Sequence, residues 1–217
     1  AIVFGAYHNV NASPDYCAWH HQKGDYVALQ SVPMRDSFRG LPQRKCLARL
    51  FDVATLSSEQ AQNILHQKNQ TYQNIIRNSA PSDLLIDGVM DLLERASTIG
   101  LKLGIASSSV SAELVIHHTR LIEKVDAFAD GYVVNNGKPA SDIFVWVAGA
   151  LGIAPRNCMV FEDGDVGLQA ARIAGMTTIG MGTGAWLSQA DYQFSIMREV
   201  ELDALVKQSL ADNKEAI

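Results

Sequence analysis

The chain has 217 residues, 47% apolar and 19% charged, with a formal net charge of −5 and a pI near 5.6. These values exclude disordered, collagen-like and coiled-coil polymers, and 18 scattered Lys and Arg residues offer no clustered basic face for nucleic acid. No run reaches the roughly 18 apolar residues of a membrane span, and the opening residues lack the basic start of a secretory signal, so no membrane partner and a cytoplasmic location are expected. Cys17, Cys46 and Cys158 are odd in number and share no metal-type spacing, which suits reduced thiols.

Ala1 to Phe4 is a short apolar run without polar alternation, read as a strand buried on both faces and central in a sheet. From Asn11 to Ser79 the chain is polar and helix-forming. Helices are predicted over Pro42 to Phe51 and Ser58 to Arg77, the second with an apolar stripe of Ile64, Leu65, Tyr72, Ile75 and Ile76. Helix and strand then alternate. A helix from Gly88 stops at Gly100, and a buried strand follows over Leu101 to Ala106. Next come a helix near Ser111 to Thr119, a short strand around Tyr132 to Val134, a helix from Ser141 to Leu151 and a strand from Cys158 to Phe161. A helix from Val166 to Ala174 and a strand from Thr177 to Met181 end the series. Repeated βα units of this kind imply a parallel sheet with helices on both faces. The fold class is therefore α/β: a Rossmann-like parallel-sheet core from residues 1–10 and 80–217, with a helical cap from 11–79 inserted after the first strand.

Ligands of such sheets sit beyond the carboxyl ends of the strands, so the residues there carry the functional reading. Ser107, Ser108 and Ser109 follow one strand and offer hydroxyls and amides at a helix entrance, suited to a phosphate oxygen or to helix capping. Lys138 precedes another helix at the same edge. Glu162 and Asp163 follow the apolar strand Met159 to Phe161. Two carboxylates at a strand tip need a cation or a basic group beside them, and magnesium is the natural ion for oxygen donors shared with a phosphate.

Ser107, then Lys138-Pro139, then Glu162-Asp163 with Gly167-Leu168-Gln169-Ala170-Ala171 and Ala174-Gly175-Met176 resembles the haloacid dehalogenase superfamily. Within it the chain is most similar to the β-phosphoglucomutase and sugar-phosphate phosphatase group. Asp142-Ile143-Phe144 continues the pattern, with Ser141 where a second proline is usual. The resemblance implies a core that holds magnesium and a phosphorylated small molecule under a helical cap. It also implies that Ser107 and Lys138 act on the phosphoryl group, that Ser108 lies beside it, and that Glu162 and Asp163 hold the metal.

The family carries Asp-x-Asp directly after its first strand, as nucleophile and acid/base. Here Gly5 and Tyr7 occupy those places. Glycine has no attacking atom, and a phenol with a pKa of about 10 is a poor proton shuttle at neutral pH. His8 is retained as a substrate-binding residue and an alternative nucleophile. In the cap, Arg39 and Arg44 could clamp a distal phosphate, while Gln43 stands where the family pattern has a basic residue and speaks against a bisphosphate-handling mutase. Three readings follow: a catalytically impaired member that binds a phosphorylated small molecule of the sugar-phosphate kind; an active magnesium-dependent phosphatase or phosphotransferase with another nucleophile; or a structural partner with an idle site.

Overall fold

The computed structural model describes residues 1–5, 43–51 and 56–215. Strand β1 (Ile2–Gly5) lies at the centre of a six-stranded sheet with β2 (Leu103–Ala106), β3 (Ala127–Ala129), β4 (Met159–Glu162), β5 (Thr177–Met181) and β6 (Tyr192–Phe194). The order is β3-β2-β1-β4-β5-β6 and every pairing is parallel. The chain builds outward from β1 in one direction and then, from β4, in the other. The reversal falls between β1 and β4, which is where an open α/β sheet leaves a crevice for a ligand.

The apolar run of β1 is explained by its two covered faces. Ile2 and Phe4 enter one core cluster and Val3 the other. The first cluster is covered by α3 (Val89–Thr98), through Leu92, Leu93 and Ala96, and by α7 (Leu202–Glu215), through Leu202 and Leu205. The second is covered by α5 (Asp142–Leu151), through Ile143, Phe144, Val147 and Ala148, and by α6 (Asp165–Ile173), through Ala170 and Ala171. Phe4 stacks on Phe161 across the β1–β4 pair, with ring centroids 5.3 Å apart. The predicted stop of α3 is seen: Gly100 has φ +77°, a backbone that favours glycine.

Before the core helices come α1 (Gln43–Leu50) and α2 (Ser58–Asn78). Ser57 caps α2, its hydroxyl accepting from the Gln60 amide at 3.1 Å while Gln60 Oε1 accepts from the Ser57 amide at 2.8 Å. The apolar stripe divides its work. Ile64 and Leu65 pack against Cys46, Leu47 and Leu50 of α1, whereas Tyr72 and Ile76 pack against Leu114 and Val115 of the core helix α4 (Ala112–His118). The predicted boundary at residues 10 and 11 lies outside the described residues. Among the described residues no helix is long and apolar enough to cross a membrane.

The expected strand at Tyr132 to Val134 is corrected: the third strand is Ala127–Ala129, and Tyr132 is 75% exposed in the turn beyond it. Asp130 Oδ1 accepts from the Tyr132 amide at 2.9 Å and turns the chain, so β-prone side chains fall just past the pairing register of Gly104 to Ala106. The elements after Met181 go beyond the sequence reading. Asp191 fixes β6 by accepting from the Thr178 amide at 2.7 Å and from its hydroxyl at 2.8 Å.

Candidate functional site

Three strand tips meet at the reversal point. Gly5 pairs with Ala106, so Ser107 begins just beyond the tip of β1 on one side. Phe4 pairs with Phe161 in parallel, so on the other side Glu162 stands level with Gly5 and Asp163 just beyond it. Gly5, Ser107 and Glu162-Asp163 therefore line one sheet edge.

Lys138 and Glu162 form the electrostatic centre of this edge. Lys138 Nζ donates to Glu162 Oε2 at 2.6 Å, and both side chains are 1% exposed. The ammonium also lies 4.7 Å from the centroid of the Phe144 ring, which supplies a cation–π contact. Glu162 Oε1 accepts from the amides of Asp163 and Gly164, both at 3.2 Å. Every oxygen of this carboxylate thus has a donor, as a buried charge requires. The fit depends on Gly167 in α6, because a Cβ there would come 2.1 Å from Glu162 Cδ.

Asp163 is also buried, and its backbone carbonyl accepts from Trp186 Nε1 at 3.1 Å. Trp186 was not among the residues singled out from sequence. It belongs to a short 3-10 helix, Ala185–Gln189, and tethers the loop that carries Asp163. A second residue missed from sequence is Lys68 on α2, 1% exposed with its ammonium 5.1 Å from the Tyr72 ring centroid. The i, i+4 spacing of Lys68 and Tyr72 is the signal that could have drawn attention to it.

Ser107 is buried at 3% exposure, and its hydroxyl accepts from the Ser109 amide at 3.2 Å. Ser109 repeats the motif on Ser111 at 3.2 Å. The helix expected near Ser111 to Thr119 is seen as α4, Ala112–His118, and the serines form successive hydroxyl-capped turns before it. Ser108 between them is half-buried. Arg44 falls on α1 with its side chain outside the described residues, and Arg39, His8 and Tyr7 lie outside them altogether.

The magnesium ion implied by the resemblance can be tested against these donors. It requires oxygen ligands in a near-octahedral set. Glu162 already receives Lys138 and two amides, Gly5 brings no carboxylate, and Asp163 is left as the acidic group at the tip. Among the described residues no three His, Cys, Asp or Glu side chains cluster as a metal set would. The described donors fall short of a magnesium site.

A parallel α/β sheet with a buried Lys–Glu pair beyond its reversal point, where such sheets bind their ligands, places this chain in the class of open doubly wound α/β proteins. The chain belongs to the haloacid dehalogenase-like hydrolase family, whose model matches residues 10–175. It is 27% identical over 211 residues to a β-phosphoglucomutase of Bacillus subtilis, covering 94% of this chain and 93% of that one. It is also 27% identical over 162 residues to a fructose-1-phosphate phosphatase of Escherichia coli, covering 75% of this chain and 84% of the relative. The fold superposes on the crystal structure of a β-phosphoglucomutase from Clostridium difficile with a TM-score of 0.87 and 23% identity, over 97% of both chains.

Proposed function

We propose that the chain binds a phosphorylated small molecule, of the sugar-phosphate kind, at the edge formed by Ser107, Lys138 and Asp163, and that it does not turn the ligand over by an aspartyl-phosphate route. The observation that carries this reading is Gly5 at the tip of the central strand, in register with Ala106. A phosphoryl group placed beside Ser107 and Lys138 would meet no side chain at that position. A buried hydroxyl and a buried lysine, groups of the kind that orient and neutralise a phosphoryl group, support the binding part of the reading. Gly5, which offers no attacking atom, supports the rest. For scale, removing the nucleophile of a serine protease lowers kcat by about 10⁶. Magnesium affinity is expected to be weak, since Asp163 would hold the ion with little help from the neighbouring described side chains.

The names of the two relatives, a phosphoglucomutase and a sugar-phosphate phosphatase, support the ligand class. The test is a pair of measurements on the full chain. Titration calorimetry with glucose 1-phosphate and fructose 1-phosphate should give saturable heat that Ser107→Ala weakens. Phosphate release from the same esters should be absent in the unaltered chain and appear in the Gly5→Asp, Tyr7→Asp double variant. Turnover by the unaltered chain at ordinary enzymatic rates, on the order of 1 per second or more, would refute the impaired-site reading.

A further inference from the structure

The face of the sheet that carries Phe4, Ile105 and Phe128 does not close at its carboxyl end. A cavity of about 110 Å³ remains between these side chains, Tyr72 of α2 and the start of α4, with Ser107 and Ser109 as its polar wall. The space is a partly open pocket at the end of the core rather than a sealed void. Its effect is visible in the strands: Ile105 and Phe128 are only half-buried, although Leu103, Ala106 and Ala129 beside them are buried.

The polar wall is incompletely satisfied. The Ser107 and Ser109 hydroxyl oxygens accept from the Ser109 and Ser111 amides, but among the described residues neither hydroxyl proton has an acceptor. For Ser107, at 3% exposure, a buried O–H without an acceptor is a costly arrangement that calls for a partner. Apart from the two serines and Tyr72, every residue around the cavity is apolar, which excludes a charged occupant. Lys138 and Glu162 are not among the lining residues, so the space is separate from the charged centre of the phosphoryl site and adjoins it through Ser107. An engineered apolar cavity of about 150 Å³ holds benzene, so a void of this order admits a small ring.

We propose that this cavity is a binding site for a small neutral molecule with a ring-sized apolar body and one carbonyl-type acceptor that takes the Ser107 proton. The ligand would sit between Tyr72 of α2 and the core strands. The site stands on the cavity and the unaccepted proton; it shares Ser107 with the phosphate reading, so a phosphoryl group and this ligand would compete for that one proton.

Cyclohexanone is the probe, with benzene as the ring that lacks an acceptor. In methyl-labelled full chain, cyclohexanone should shift the Ile105 and Val115 resonances saturably, show nuclear Overhauser contacts to Phe128, and raise the melting temperature. Benzene should bind about tenfold more weakly, the worth of one ordinary hydrogen bond, and Ser107→Ala should erase that preference. Ala112→Leu and Ile116→Phe each push a larger side chain into the space, and whichever keeps the native circular dichroism should lose binding. The absence of saturable shifts or Phe128 contacts in the unaltered chain would overturn the site, as would undiminished binding in a folded blocking variant. Equal affinity for the two rings would overturn the role of the Ser107 proton. Inorganic phosphate titrated into samples free of either ring reports on the phosphoryl site.

Discussion

The tips of β1 and β4 lie side by side and have opposite characters. At β4, Glu162 is held by Lys138 and two amides, with Gly167 making the room for its carboxylate. At β1, Gly5 presents only backbone. The difference teaches how the charged pair at β4 is kept in place without a carboxylate at Gly5. The charge of Lys138 is balanced inside the fold by Glu162, so nothing at the tip of β1 is needed to keep the lysine buried. The buried Lys138–Glu162 pair and the residue at the tip of β1 are energetically separable among the described residues, and the packing of Glu162 enforces the pair alone.

The largest expected effect breaks the β4 half of the contrast. Lys138→Met leaves Glu162 buried and uncompensated, and should lower stability in urea by about 3–5 kcal/mol, whereas Lys138→Met combined with Glu162→Leu should recover most of that loss. Full stability in the single variant would show that the pair does not anchor the edge. Gly167→Ala comes next. The added methyl collides with the Glu162 carboxylate, and denaturation should report a loss of about 1–3 kcal/mol. Ser107→Ala removes the acceptor for the Ser109 amide and should cost about 1 kcal/mol in the same assay.

The contrast between the tips also separates what could be read in advance from what could not. Gly5 was legible because a four-residue apolar strand fixes which residue follows it. Lys138, Glu162 and Asp163 were legible as charged groups beyond strand ends, but their pairing was not. Residues 24 positions apart meet only once β4 and the start of α5 are packed, and only then does Glu162 emerge as the partner of Lys138. The misplaced third strand has a similar cause. Tyr132 to Val134 has the higher intrinsic β preference, yet pairing with Gly104 to Ala106 selects Ala127 to Ala129. Trp186 escaped notice because its link to Asp163 runs through a backbone carbonyl, for which sequence carries no side-chain signature.

The smallest expected effect lies far from both tips, at the edge strand β6, where an ionisable group has no buried counter-charge comparable to Glu162. Burial pushes the Tyr192 hydroxyl up to about 12, helped by its hydrogen bond to Asp212 and by the negative charges of Asp212 and Asp191. The folded state therefore keeps this proton after the unfolded chain, with an ordinary tyrosine pKa of about 10, has released it. Its contribution is fully present below pH of about 10 and is lost as pH rises from there through about 12, since in that window the native state binds more protons than the unfolded one. The stability difference between the unaltered chain and Tyr192→Phe, followed in urea at successive pH values, should be constant near neutrality and shift against the unaltered chain across that window. A difference independent of pH up to about 12 would mean that Tyr192 ionises alike in both states, and that the edge of the sheet, unlike its centre, leaves its charged and polar groups to the solvent.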